Sequence, residues 1–196
     1  MTKKEKIDHI WTYYWYHILG VVVIIALIFL FVWHYAFGNQ KPVFTCIFVN
    51  QAIETQQVNE MTEVFAKAFA LPAEQVVISA DYMFSYGDVH LEGVNESTYE
   101  KFFFQWRNKE LDAVILPESF YWHVKEMGGA FRELDETMTE GFTPYMDETK
   151  CMAIVLDDAN GSEKALLAFP ETGQHWEECG KFLSFLGLQY KKEDTP

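Results

Sequence analysis

The segment "VFTCIFVN" (residues 43–50) decides how the larger part of this chain folds. It is almost continuously apolar and rich in β-branched and aromatic residues, a pattern typical of a central strand covered on both faces. Downstream of it, short apolar runs alternate with segments of helical periodicity. Strands are predicted at 75–80 and 112–117, and helices at 57–70, 97–110 and 118–129. The order β-α-β-α-β-α predicts a parallel sheet with right-handed crossovers.

The second half of this region is less regular. Residues 141–150, "GFTPYMDETK", are predicted to form a loop. Strands are predicted at 151–158 and 164–170, and Asn160-Gly161 between them is a hairpin signal, so this pair is expected to be antiparallel. A final amphipathic helix is predicted at 175–187. Together these segments predict one three-layer α/β domain with a mostly parallel sheet.

Upstream of the first strand, residues 9–38 read "HIWTYYWYHILGVVVIIALIFLFVWHYAFG". Residues 18–38 contain only His34 as a candidate charge, and as a helix they extend about 31 Å, close to the thickness of a bilayer core. Aromatic side chains prefer the membrane interface, and they occur at both ends of the run. The predicted interface residues are Trp11, Tyr13, Tyr14, Trp15, Tyr16, Trp33 and Tyr35.

The lysines around the apolar run predict its orientation. Lys3, Lys4 and Lys6 precede it and Lys41 alone follows it, so the N-terminus is expected to be cytoplasmic and the domain extracellular. A cleaved signal peptide is the alternative, since residues 36–38 loosely fit a cleavage site, but the run exceeds the usual apolar length of a signal peptide. The predicted organisation is therefore a leader at 1–17, a single transmembrane helix at 18–38, a linker at 39–42, an extracytoplasmic domain at 43–188 and a polar tail at 189–196.

The charge of the chain limits its partners. The formal net charge is −14, and residues 41–196 carry 27 acidic and 12 basic residues. A surface this acidic repels phosphate backbones, so nucleic-acid binding is not expected. The three cysteines, Cys46, Cys151 and Cys179, cannot all pair within the chain. They are interpreted as three buried thiols, or as one pair and a free thiol that the sequence cannot assign.

Residues 111–136, "LDAVILPESFYWHVKEMGGAFRELDE", resemble a signature region of extracytoplasmic solute-binding proteins of Gram-positive bacteria, the type 2 periplasmic-binding-like group. In that region a strand is followed by a short helix and then by a pattern matched here at 129–135. The later segment from Ala153 to Leu186 is similar to a further part of the family. The resemblance implies the fold of one lobe, because the domain has about half the length of the two-lobed proteins. It also implies a link to transport.

In open α/β sheets, ligands bind beyond the carboxyl ends of the strands. The predicted ligand-binding residues at these positions are Asn50, Gln51, Asp81, Tyr82, Glu118 and Ser119. For Asp81 and Ser119, a role as caps of helices or turns is favoured over ligand binding. His175 and Cys179 have a spacing that suits zinc, but two ligands do not make a site, and neither a metal nor a cofactor is predicted.

Catalytic motifs are missing from the sequence: it has no G-x-S-x-G, no H-E-x-x-H and no glycine-rich phosphate loop. We therefore do not expect an enzyme. The predicted function is that of a single-pass, membrane-anchored interaction protein, an accessory in a transporter-like membrane assembly. The alternatives are a receptor for a small molecule or peptide, and a hydrolase in which His90, His123 or His175 meets a carboxylate only in the fold.

Overall fold

A computed structural model of the protein describes residues 3–37, 41–156 and 163–193, which form two units divided between Lys41 and Pro42. The first unit is one helix, α1 (Lys3–Phe37). Its segment Tyr14–Tyr35 is long and apolar enough to cross a membrane, and none of that segment is buried. At 1.5 Å per residue, these 22 residues extend about 33 Å, which matches a bilayer core.

The second unit contains the strands and the remaining helices. Its strands are β1 (Phe44–Val49), β2 (Val76–Tyr82), β3 (Ala113–Pro117), β4 (Thr143–Asp147), β5 (Lys150–Leu156) and β6 (Ala165–Ala168). Its helices are α2 (Thr55–Ala68), α3 (Ser97–Arg107), α4 (Glu118–Glu126), α5 (Glu136–Thr139) and α6 (Trp176–Glu193). A short 3-10 turn (Ala73–Gln75) precedes β2. Helix α6 therefore continues into the segment predicted as a polar tail.

Within the described residues, the six strands form one mixed sheet in the order β2-β1-β3-β6-β5-β4. Strand β1 pairs in parallel with β2 and β3, whereas β3 with β6, β6 with β5 and β5 with β4 are antiparallel. The prediction of a mostly parallel sheet is wrong, because β4, β5 and β6 follow one another through hairpins and β6 then lies antiparallel beside β3.

Strand β4 explains part of this error. It lies inside the segment predicted as a loop, and it occupies one edge of the sheet. Its sequence, "TPYMD", has neither an apolar run nor clear alternation, and Pro144 argues against a central strand. An edge strand needs partners on one side only, so the ladder with β5 from Thr143 to Asp147 suffices to hold it.

Two buried clusters cover the two faces of the sheet and give the domain three layers. On one face, β1 residues Phe44 and Cys46 pack with α2 and α6, and the rings of Phe44, Phe65 and Phe182 lie 5.0–5.4 Å apart. The other face presents alternate β1 residues, including Ile47, to α3 and α4. Burying each large apolar side chain contributes about 1.5–3 kcal/mol, so both faces stabilise the domain.

Candidate functional site at the carboxyl ends of the parallel strands

Strand β1 lies between β2 and β3, so the chain moves to one side of β1 and then to the other. This arrangement determines where the predicted site lies. Helix α2 connects β1 to β2 on one face of the sheet, and α3 connects β2 to β3 on the other. The carboxyl ends of β1 and β3 therefore meet at a topological switch point, where open α/β sheets bind ligands. Asn50 and Gln51 follow β1 there, and Glu118 and Ser119 follow β3.

Asn50 uses its side chain to extend the sheet. Its φ is +52°, a left-handed conformation that asparagine tolerates. The side-chain Nδ2 donates to the carbonyl of Phe84 at 2.9 Å, and the backbone N–H of Phe84 donates to Oδ1 at 3.0 Å. The neighbouring Gln51 donates from Nε2 to the carbonyl of Val49 at 3.4 Å. The Asn50 amide is thus engaged within the domain.

The structure places Tyr82 and Asp81 in different surroundings. Tyr82 is 2% exposed, and its hydroxyl donates to Oε1 of Gln105 on α3 at 2.5 Å. The ammonium of Lys101 lies 5.0 Å from the centre of the Tyr82 ring. Asp81 is exposed, and its carboxylate lies 3.5 Å from the hydroxyl of Ser79. Tyr82 therefore packs beneath α3 and is not an open wall of the site.

Ser119 joins α4 to two distant segments. Its hydroxyl lies 2.7 Å from the hydroxyl of Tyr86, which belongs to the loop after β2. Its backbone N–H donates at 2.5 Å to Oε1 of Glu163, just before β6. A carboxylate is favoured at the N-terminus of a helix, where the first N–H groups have no partner within the helix. Glu163 thus fills this position from within the chain.

Glu118 is held in a similar way. Its backbone N–H donates to the carbonyl of Lys164 at 3.0 Å, and its Oε1 accepts from the hydroxyl of Tyr145 on β4 at 2.8 Å. Burial, together with the hydrogen bond to Glu118, raises the pKa of Tyr145 to about 12. Burial also raises the pKa of Tyr86, against the opposing effect of its bond to Ser119. Both phenols are therefore neutral at physiological pH.

Four of the six predicted residues thus gather at the switch point: Asn50, Gln51, Glu118 and Ser119. Sequence reasoning missed Tyr86, Tyr145 and Glu163, which bind Glu118 and Ser119 from a loop, from an edge strand and from just before β6. No local spacing connects these residues to α4, because they lie 27 to 44 positions away from their partners. The arrangement is a hydrogen-bonded rim that fixes α4 against the sheet.

A second polar centre lies at the other end of the parallel strands, at the amino end of β3. Asp112 precedes β3 and is buried, and its carboxylate accepts from the backbone N–H groups of Thr45, Gln174 and His175 at 3.0–3.1 Å. Nδ1 of His175 lies 3.0 Å from Oδ2 of Asp112, so this nitrogen carries the hydrogen. The side chain of His175 is 36% exposed.

The hydrolase alternative required a histidine beside a carboxylate, and His175 meets that part of the requirement. The same carboxylate also ties the start of α6 to β1, so it has a structural role. His123 instead contacts the hydroxyl of Tyr99 at 2.9 Å, and His90 is exposed in the loop after β2. Among the described residues, no group of three or more His, Cys, Asp or Glu side chains could hold a metal ion.

The predicted interface residues lie on α1. The described side chains of Tyr14, Trp15 and Tyr16 near one end, and of Trp33 and Tyr35 near the other, are exposed. Trp11 and Tyr13 belong to the same helix, but their side chains are outside the described part of the structure. Aromatic side chains thus occur near both ends of the apolar segment.

Comparison of the chain with protein-family models, with curated proteins and with solved structures found no match. Function therefore has to be inferred from the geometry of the molecule itself.

Proposed function

We propose that this chain is a single-pass membrane protein whose α/β domain lies outside the cell and contacts a protein partner in a membrane assembly, such as transporter subunits. The observation that carries the proposal is the helical segment Tyr14–Tyr35, which is apolar and has no buried residue. A helix without a polar face gains nothing from exposure to water, whereas a bilayer core suits its length and composition.

The orientation follows from the basic residues. Lys3, Lys4 and Lys6 belong to the same helix as the apolar segment and precede it. Basic residues flanking a span favour the cytoplasmic side, so the N-terminus is cytoplasmic and the domain extracellular in this proposal. In this orientation the acidic domain does not face the anionic lipids of the cytoplasmic leaflet, which would repel it.

The strand-end rim supports an interaction protein over a small-molecule receptor. A ligand pocket needs polar groups that point into a concavity and remain available to the ligand. Here the side chains of Asn50, Glu118 and Ser119 all bond to other parts of the domain. The resemblance to one lobe of a solute-binding protein supports a transporter as the partner, since a single lobe lacks the cleft between two lobes.

Co-purification tests this proposal. The full chain, tagged at its C-terminus, would be extracted from its native membranes in a mild detergent and examined by size-exclusion chromatography and quantitative mass spectrometry. We expect a membrane protein to remain with it in fixed stoichiometry. A matched variant, in which residues 18–33 are replaced by leucine and alanine, keeps the span and separates contacts of α1 from contacts of the domain. A monodisperse monomer without a stoichiometric partner would contradict the proposal.

The alternative is a receptor for a small molecule or peptide, and the observation that favours it is the switch point itself. Ligand binding would raise the melting temperature of the protein. Gln51 is the residue to vary, because Tyr82 is buried and its loss would destabilise the domain. Gln51→Ala should abolish the ligand-dependent rise, and Gln57→Ala, exposed on α2, should keep it. Equal rises in both variants would place the ligand elsewhere.

A further inference from the structure

Two of the three cysteine thiols lie in the same buried cluster. Cys46 belongs to β1 and is 0% exposed, and Cys179 belongs to α6 and is 2% exposed. Both side chains are on the face of the sheet that α2 and α6 cover. All three cysteines, which fall within the described residues, are free thiols in the structure. The sequence alone leaves the choice of a pair open, and this placement narrows it.

Hydrogen bonds locate the two thiols relative to each other. The thiol of Cys179 donates to the backbone carbonyl of Asp112 at 3.4 Å. The next residue, Ala113, is the partner of Cys46 in the β1–β3 ladder, and the N–H of Asp112 donates to the carbonyl of Thr45 at 3.0 Å. Adjacent strands are about 4.8 Å apart, so Cys179 lies above the peptide beside Cys46.

The electrostatic effect of one thiol on the other agrees with this placement. Burial raises the pKa of Cys46 most, and the charge of Cys179 is the next cause, ahead of Asp112. Burial also raises the pKa of Cys179, followed by the charge of Asp112. The charge of Cys179 acts on Cys46, as expected if the two thiols are near neighbours.

Cys151 is half-buried and packs at the border of the same cluster, but on a strand farther from Cys46. It lies on β5, pairs with Met146 of β4, and its thiol lies 3.5 Å from the carbonyl of Ala153. Strand β5 is two places from β3 and three places from β1 in the sheet, about 10 and 14 Å at the usual strand spacing. A disulfide needs Cα atoms within about 7 Å, so Cys151 cannot bridge to Cys46.

We propose that Cys46 and Cys179 form a disulfide that joins β1 to α6 when the domain folds outside the cell, with Cys151 left as a free thiol. The outer location rests on the proposed function. The reaction is thiol–disulfide exchange with a small-molecule disulfide: the two protein thiols are oxidised to one S–S bond, and the small disulfide is reduced to two thiols, which take up the two protons. Exchange proceeds through the thiolate, and buried thiols of raised pKa are unreactive. The bond therefore forms during folding.

Refolding of the full chain tests the pairing. The detergent-solubilised protein would be reduced, unfolded in urea and refolded with oxidised glutathione as the disulfide, and its peptides mapped by mass spectrometry without reduction. We expect one linked peptide pair, Cys46 with Cys179, and alkylated Cys151. The bond closes a loop of about 130 residues, so the melting temperature should rise by roughly 10 °C over the reduced protein.

Single variants provide the controls. Cys151→Ser should keep both the linked peptide and the rise in melting temperature, whereas Cys46→Ser and Cys179→Ser should each lose both. A different linked pair, or full alkylation of Cys46 and Cys179 after refolding, would overturn the proposal. A separate experiment tests the location: free thiols are alkylated when the cells are lysed, and the isolated protein is then mapped for the linked peptide. If the bond forms on refolding but is missing from that protein, the pairing stands and the outer location is overturned.

Discussion

The packing around Gly129 leaves no space for a methyl group. A Cβ added there would lie 2.5 Å from Cγ1 of Val124, 3.0 Å from the Val124 carbonyl and 3.2 Å from the ring of Trp106. Forcing these groups apart in a packed core costs about 1–3 kcal/mol. We predict that Gly129→Ala lowers the free energy of unfolding by that amount, measured by urea titration of the detergent-solubilised protein.

Gly180→Ala is the matched control. Gly180 lies within α6, and a Cβ there meets nothing within 4 Å. Alanine is favoured over glycine inside a helix by about 0.8–1 kcal/mol, so this variant should stabilise the domain. Equal effects of the two variants would show that the packing of Gly129 is described wrongly.

Ala70 has a backbone conformation that glycine would adopt more easily. Its φ is +51°, in the left-handed region after the end of α2. Left-handed backbone costs an alanine about 1–2 kcal/mol, and glycine would relieve this cost. Part of the relief is offset because glycine has more conformational freedom in the unfolded chain. We predict that Ala70→Gly stabilises the domain by roughly 0.5–1 kcal/mol in the same titration. Ala68→Gly, on the last turn of α2, should destabilise it, and a loss of stability in both variants would contradict the prediction.

Asp147 makes the stability of the domain depend on pH in the acid range. Its hydrogen bond from Lys125 lowers its pKa, with a further bond from Tyr121, against the opposing effect of burial. Below the ordinary aspartate pKa of about 3.9, the unfolded chain takes up a proton before the folded one does. The stability that Asp147 contributes is therefore complete above the unfolded pKa. It is lost as the pH falls through the lower pKa of the folded protein.

The measurement is urea unfolding at a series of pH values from about 2.5 to 6. We predict that the slope of unfolding free energy against pH below pH 4 is smaller in Asp147→Asn than in the native protein. Glu148→Gln, at the neighbouring turn, should keep the native slope. Identical slopes in all three proteins would mean that Asp147 contributes nothing to acid sensitivity.

The residues at the strand ends show where prediction from sequence stops at this scale. The positions of Asn50 and Ser119 after buried strands follow from the apolar pattern. Their partners do not, because Phe84 is 34 residues from Asn50 and Glu163 is 44 residues from Ser119. A polar residue after a strand predicts ligand binding and internal hydrogen bonding equally well until the contacting segment is known.

At the scale of elements, Asp112 holds three segments together. Its carboxylate accepts from Thr45 at the start of β1 and from Gln174 and His175 before α6. Leaving the buried N–H group of Thr45 without a partner costs about 1–3 kcal/mol, and the half-buried bonds to Gln174 and His175 add less. We predict that Asp112→Ala destabilises the domain by about 2–4 kcal/mol and increases hydrogen exchange at the start of α6.

Asp135→Ala is the control for this prediction. Asp135 accepts from the backbone N–H of Met138 at the start of the short helix α5, and it is exposed. Loss of such a cap costs about 1 kcal/mol. If the two variants were equally stable, Asp112 would be no more than an ordinary cap.

The order of elements was predictable as far as α4, since each strand there is apolar and each helix has a clear periodicity. In the rest of the sheet, the prediction of β5 and β6 as an antiparallel pair is confirmed, whereas β4 and the pairing of β6 with β3 were not predictable. Strand β4 carries a proline and exposed side chains, and it is held by pairing with β5 rather than by its own apolar pattern. The direction of β6 against β3 depends on where the chain returns, which local periodicity does not encode.

At the scale of the whole molecule, the apolar helix and the acidic domain require different surroundings. The segment Tyr14–Tyr35 was predictable in length and composition from the sequence, and the structure contains it as part of one helix, α1. Its orientation and the partner of the domain remain proposals, since both depend on a membrane and on proteins outside this chain.

Site-directed labelling of intact cells tests the central claim, an anchored chain with its domain outside, most directly. Cysteines would be introduced singly in a Cys151→Ser background, as Thr149→Cys at the exposed turn between β4 and β5 and as Thr2→Cys before α1. Both would be treated with a membrane-impermeant maleimide. We predict that Thr149→Cys is labelled in intact cells and Thr2→Cys only after permeabilisation. Labelling of Thr149→Cys only after permeabilisation would contradict the account.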